Sequence, residues 1–202
     1  MWIRPERKTF EGKWVILEVL DQDMHYKDLY DMAMSSTNEN DIFRYMLYGP
    51  FTNENDFKEW MQRQVNMNDV IIYSVYSKRL NRYVGIYSIL NIDVKNGRAE
   101  LGGIWYGKMA QKTEINTETS YILLKYLFED LNYRRIEWKC DNENIPSKNA
   151  AVRLGFTFEG LFRNHMIVKE KNRDTAWYSI IDSEWENVKN NFNNNLLREY
   201  KK

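Results

Sequence analysis

Residues 111–131, QKTEINTETSYILLKYLFEDL, place a polar loop between the apolar run LGGIWYG and an amphipathic helical pattern. A strand, a polar loop and a helix N-terminus together make an anion cradle. The first N–H groups of a helix lack intrahelical acceptors, and they sit at the positive end of its dipole. This loop, Gln111-Lys112-Thr113-Glu114-Ile115-Asn116-Thr117, contains no glycine. Any residue except proline supplies an N–H; glycine adds close approach and positive φ, but it is not the donor. Lys112 and Thr113 add a cation and a hydroxyl. Glu114 must point away from a bound phosphate, because like charges repel. Without a ligand, the same stretch is simply the capped start of a helix.

Other reactive side chains are few. Cys140 is the sole cysteine, which excludes an internal disulfide. With only His25 and His165 beside it, a zinc site is not expected. As a nucleophile Cys140 needs a neighbouring base, and neither histidine lies in a cysteine-hydrolase context; a buried small apolar role fits better. Trp105, Tyr106, Trp138, Trp177 and Tyr178 would suit base stacking. They alternate as core strands do, however, so packing is the expected role. Acidic and basic residues number 29 each, which argues against a general nucleic-acid or anionic-membrane binder.

These residues need elements to position them. KWVILEVL (13–20) has the β-branching of a strand. DQDMHYKDLYDMAMSS (21–36) and NENDFKEWMQRQVNM (53–67) have helical spacing, with Asp21 or Asp23 as a cap. The period then becomes two in residues 70–78, 82–92 and 98–107, with turns at 78–81 and 95–97, predicting an antiparallel meander. A helix is expected from about Thr117 to Leu131, and a strand at 134–140. Residues 142–156 predict a short helix with Pro146 in its first turn and Gly155 as the C′ residue. A closing hairpin turns at Lys171–Arg173, and a C-terminal helix covers about 184–198. The strand–helix–strand order near the centre implies a right-handed crossover and a parallel pair in a mixed sheet. The expected class is α+β, or mixed α/β, in one domain spanning residues 1–202. Composition, 43% hydrophobic and 15% aromatic, supports a packed core. No apolar run reaches membrane-span length, and MWIRPERKTF lacks a signal-peptide core, so a soluble cytoplasmic protein is expected.

Three segments, GIWYGKMAQKT-x-x-NTE, RRIEWKCDNENIPSKNAAVRLGFTFEG and NRDTAWYSIIDSEW, carry a resemblance. Taken together the chain resembles a GNAT-superfamily N-acetyltransferase of the RimJ/RimL type, over nearly its whole length. The resemblance implies acetyl-CoA as cosubstrate, wedged in a splay between the strand ending at Ile104, Trp105 and Tyr106 and the strand 134–140. It places the pyrophosphate on the loop running from Gln111, Lys112 and Thr113 to Ile115, Asn116 and Thr117. Both family glycine positions there are filled by other residues. Asn144 is implied to contact the pantetheine arm. Position 151, a thiolate-protonating tyrosine in many members, is alanine; Ser147 takes the role proposed in this branch. The branch's glutamate base aligns with Met166. Glu100 is the first candidate for a displaced base. His165 is the second, although strand alternation should turn it to the opposite face.

The chemistry is amine attack on a thioester, which needs reactant positioning, proton removal, oxyanion stabilisation and sulfur protonation. The open edge at Gly103–Tyr106 can pair with pantetheine amides, and Gly102 and Gly103 can mark a bulge. An α-amine of pKa about 7.8 is roughly 10–15% neutral at pH 7. A lysine amine near 10.4 is only about 0.04% neutral, a handicap of roughly 4.6 kcal/mol. A weak base therefore suits an α-amine. The acceptor is expected to be a protein N-terminus or a small-molecule amine, with no metal, nucleic acid or membrane involved. A non-catalytic acyl-CoA-binding or regulatory module is the alternative. The chain is expected to be a monomer or a homodimer, with helix 185–197 packed on its own sheet or on a second subunit.

Overall fold

The computed structural model describes residues 1–35, 42–198 and 200. Ser36 at the end of the first expected helix, and Glu199 and the last lysines of the tail, lie outside them. The strands are β1 (Phe10–Glu11), β2 (Val15–Val19), β3 (Ile71–Ser77), β4 (Arg82–Asp93), β5 (Arg98–Tyr106), β6 (Arg135–Asp141), β7 (Thr157–Val168) and β8 (Lys171–Ile181). The helices are α1 (Gln22–Met34), α2 (Glu54–Val65), α3 (Glu114–Lys125), α4 (Ile145–Arg153) and α5 (Trp185–Asn191). Caps fix their starts. Asp21 accepts from the Met24 N–H at 2.9 Å, and Asn53 from the Asp56 N–H at 3.0 Å. Gly155, at φ +98°, follows the end of α4.

One sheet runs in the order β1-β2-β3-β4-β5-β6-β8-β7. β5 and β6 pair in parallel, as the α3 crossover between them requires; the other pairs are antiparallel. This is the mixed α/β architecture expected, with a mostly antiparallel sheet. The register separates two faces. Trp105, paired with Ile86, meets Phe43 and Trp60, so α1 and α2 cover one face. Tyr87 meets Ser120 through its hydroxyl at 2.9 Å, so α3 covers the other. The C-terminal helix packs on α3 and the π turn that extends it, through Phe128–Trp185 and Tyr121–Phe192, with centroids 5.2 and 5.4 Å apart. The C-terminal helix thus covers its own fold.

Four boundaries differ from expectation. The short β1 escaped the sequence reading. α3 begins at Glu114 rather than Thr117, because Thr113 caps it: its hydroxyl accepts from Ile115 N–H and donates to the Ala110 carbonyl at 2.7 Å. Its end widens into a π turn at Tyr126–Asp130. The closing hairpin turns at Lys169–Glu170, not Lys171–Arg173. Both turn residues have positive φ, 48° and 64°, which matches the twist of the strands. Neither is a turn-former by composition, so the sequence carried no signal.

Candidate active site

The β5–β6 ladder has three rungs, Arg98–Arg135, Ala99–Ile136 and Glu100–Glu137. Beyond Glu100 the strands diverge. β5 stays bound to β4 through Trp105–Ile86 and Tyr106–Gly85, and its β6-facing edge carries no ladder partner there. Gly103 has φ +61°, and the register shifts between Ile86 and Ser88. The expected splay and bulge are therefore both present. Trp105 and Tyr106 are buried core side chains and Ile104 is half-buried, so backbone is what this edge offers. Burial pushes the Tyr106 phenol well above its ordinary range.

The glycine-free loop solves its two difficulties. Lys112 itself adopts φ +57°, the conformation a glycine would supply. Glu114 turns away and pairs with Arg79 at 3.0 Å. Among the described residues, no acceptor is matched to the N–H groups of Lys112, Thr113 or Glu114. The Gln111 amide folds back onto the Tyr106 carbonyl at 3.0 Å, and Ile115 is buried, so both act structurally. Asn116 Oδ1 is buried without a partner. Thr117 accepts from Arg153 Nη1 at 3.0 Å, which brings a second cation beside the α3 N-terminus. Arg153 was missed in the sequence; its place in the last turn of α4, two residues before Gly155, was the available signal.

On the α3 face at the end of β6, Asn144 Oδ1 caps α4 by accepting from Ser147 N–H at 3.1 Å. The Trp138 indole donates to Ser147 Oγ at 3.0 Å. An indole N–H can only donate, so the serine's own O–H remains available as a donor. Cys140 lies beside it. Burial raises the thiol pKa, against an opposing effect of Ser147. That suits an apolar packing role and not a thiolate nucleophile.

Glu100 lies on the opposite face, on the last rung before the splay. Its Oε2 accepts from Asn91 at 2.6 Å and pairs with Lys139 at 2.8 Å. Its Oε1 leans over Gly102, where an added Cβ would stand 3.1 Å from it. Lys139 also pairs with Glu137 at 3.0 Å and lies 4.0 Å from the Trp177 ring centroid. Burial raises the Glu137 carboxyl, but hydrogen bonds from Arg135 and Lys139 outweigh it and leave the group below its usual range. Asn91 and Lys139 carried no sequence signal, because the β4–β5 and β5–β6 registers bring them to Glu100.

His165 departs from the alternation argument. Between the rungs Phe162–Thr175 and Met166–Arg173, four steps along β7 face two along β8. Asn164 takes φ +45° within this bulge. The imidazole consequently lies on the Glu100 face, with Nδ1 3.0 Å from Thr175 Oγ1. At the hairpin tip, Lys169 donates to the Phe43 carbonyl at 2.7 Å. Among the described residues, no group of three or more acidic, histidine or cysteine side chains is placed to hold a metal, and no helix is long and apolar enough to cross a membrane.

Comparisons with known proteins bear on this geometry. Residues 15–157 match the model of the Acetyltransferase (GNAT) domain. N-acetyltransferase p20 of Bacillus licheniformis is 28% identical over 161 residues, covering 77% of this chain and 88% of that protein. The ribosomal-protein-serine acetyltransferase of Escherichia coli is 28% identical over 102 residues, covering 50% of this chain and 56% of that protein. A crystal structure of a GCN5-related N-acetyltransferase from Brucella melitensis is 37% identical with a TM-score of 0.92, covering 96% of this chain and 87% of that one. With the splayed parallel pair, the α3 cradle and these matches in hand, the chain belongs to the GNAT acetyltransferase family, in keeping with the RimJ/RimL-type branch.

Proposed function

We propose that the protein is an acetyl-CoA-dependent N-acetyltransferase that passes the acetyl group directly to a primary amine, either a protein N-terminus or a small molecule. The observation that carries this reading is the fit of the splay to the cosubstrate. An unpaired β5 edge leads into a helix N-terminus with open N–H groups at residues 112–114. Cations from Lys112 and Arg153 stand by, and the one awkward carboxylate is tied to Arg79. The bound thioester supplies an electrophilic carbonyl and a thiol leaving group.

The residues divide the remaining work. The β5 edge at Gly103–Tyr106 holds the amide-bearing arm as a neighbouring strand would, and an N–H freed by the Gly103 bulge faces the carbonyl oxygen. Lys112, Thr113, Asn116 and Thr117, with the backbone of Ile115, hold the pyrophosphate at the α3 N-terminus, and Gln111 braces the loop. Asn144 caps α4 so that Ser147 faces the sulfur, and the Ser147 hydroxyl donates its proton to the departing thiolate. Glu100 gives the acceptor side a basic oxygen. Its Oε1 draws a cationic amine to the mouth of the splay, while Lys139 and Asn91 keep the carboxylate in place.

The test is thiol release from acetyl-CoA in the presence of peptides with free α-amino groups, free lysine, a polyamine and an amino sugar. Release above the acceptor-free rate, with an acetylated product seen by mass spectrometry, is expected for at least one α-amine. A folded protein that binds acetyl-CoA but transfers to none of them would be the non-catalytic acyl-CoA-binding module instead.

A further inference from the structure

A carboxylate of ordinary pKa near 4.3 is poorly matched to removing a proton at pH 7, whereas an imidazole near 6.5 is well matched. The chain has only two histidines. His25 is buried and bound to Glu18 and to the Asp21 N–H, so it is closed to a substrate. His165 is exposed and carried by the β7 bulge onto the face that holds Glu100. Its ring packs against Phe162 and Trp177, with centroids 5.3 and 6.2 Å away. Trp177 is also the ring on which Lys139, the partner of Glu100, rests. His165 thus packs on this ring directly, and the buried Glu100 is joined to it through Lys139. Thr175, 2% exposed, holds Nδ1 in place. When Nδ1–H donates to the threonine, the Nε2 lone pair is left open.

We propose that His165 is the general base of the acceptor side: its Nε2 takes the proton of the attacking amine, while Glu100 holds the amine's charge before attack. This rests on the N-acetyltransferase reading above. The amine nitrogen forms a bond to the thioester carbonyl carbon, and the C–S bond breaks with its electron pair on sulfur. The ammonium first gives one proton to Nε2, which frees the nitrogen lone pair for attack, and the imidazolium passes that proton to water; a second proton leaves the nitrogen by the same route once the new bond has formed. Sulfur takes the Ser147 hydroxyl proton, and the serine recovers one from water. The bulge also explains how this chain dispenses with a carboxylate at Met166, since the residue before it is turned to the same side. The charged residues nearest the imidazole along the strands are Arg163 on its own strand and Arg173 and Asp174 on β8, while Lys139 on β6 rests on the same Trp177 ring and pairs with Glu100 on β5. Asp174 is held by the Asn164 N–H at 2.7 Å.

Two measurements test it. Imidazole nitrogen NMR on the labelled protein, where two signals suffice, reports the neutral tautomer of His165; Nδ1–H is expected, and Nε2–H would overturn the proposal. The second uses acetyl-CoA and whichever amine of the panel the wild type acetylates fastest. His165→Gln is expected to lower kcat about 100-fold, to leave the KM for acetyl-CoA unchanged, and to abolish the low-pH inflection of the kcat profile. Glu100→Gln should keep that inflection. A His165→Gln enzyme with the wild-type inflection and kcat would overturn the proposal. If the wild type acetylates no amine, the transferase reading falls and takes this one with it.

Discussion

Ser147 shows how a single hydroxyl acquires a direction. Asn144 fixes its backbone and Trp138 donates to its oxygen, which leaves its proton free to donate, in the proposed mechanism to the departing sulfur. Ser147→Ala is expected to lower kcat by about 100-fold, the common weight of one proton-transfer group, with little change in the Kd for acetyl-CoA. Equal kcat in the two proteins, measured by thiol release, would remove Ser147 from the mechanism. The family resemblance, which places a serine three residues after the asparagine, made this residue legible in the sequence. The partners of Glu100 were not, because Asn91 and Lys139 reach it through strand register. His165 was misplaced because strict alternation fails wherever a bulge inserts residues. Position 151 needed no structure to be noticed, but its meaning did: Ala151 is fully buried, so this chain has core there and not a hydroxyl.

At the scale of elements, α3 must hold its N-terminus still for an anion to bind there. Glu118 does much of that. Its buried carboxylate accepts from the N–H groups of Lys13, Trp14 and Val15 at 2.7, 2.7 and 2.8 Å, tying α3 to the turn before β2. Glu118→Ala would leave one buried and two part-buried donors unmatched and is expected to cost about 2–3 kcal/mol of stability. Urea unfolding measures it, and a loss below about 0.5 kcal/mol, the usual level of an inert surface change, would deny the tie. α1 has its own anchor. His25 Nδ1 accepts from the Asp21 N–H at 3.0 Å, and Nε2 faces Glu18, which Tyr83 also contacts. Burial lowers the His25 pKa, against the opposing effects of Glu18, Asp21 and Asp28. With the folded value below the unfolded one near 6.5, this contribution is complete above about pH 6.5 and is lost as pH falls toward the folded pKa. His25→Gln should therefore lose less stability than wild type between about pH 7.5 and 5.5. An identical loss in the two would place the acid sensitivity elsewhere. Helix existence was legible from spacing and caps. The start of α3 was not, because the residue that caps it is a threonine inside a stretch that reads as loop.

Across the whole molecule, the period of two in three successive segments and the strand–helix–strand order were enough to foresee a mixed sheet with one parallel crossover. What no periodicity announces is where that parallel pair comes apart. The ladder ends at Glu100–Glu137, just before the β5 bulge at Gly102 and Gly103, and α3 follows β5 and α4 follows β6 beyond that point. Every assigned role depends on the gap between β5 and β6 holding a pyrophosphate and a thioester. In the proposed reading a cradle without glycine serves this purpose, with Lys112 in the left-handed conformation and Glu114 turned to Arg79. The direct test is isothermal titration of the folded protein with acetyl-CoA and then with CoA. Binding of both at micromolar Kd is the expected result. Absence of heat with either ligand, in protein whose fold is verified by circular dichroism, would contradict the account and leave residues 111–118 as the capped start of a helix.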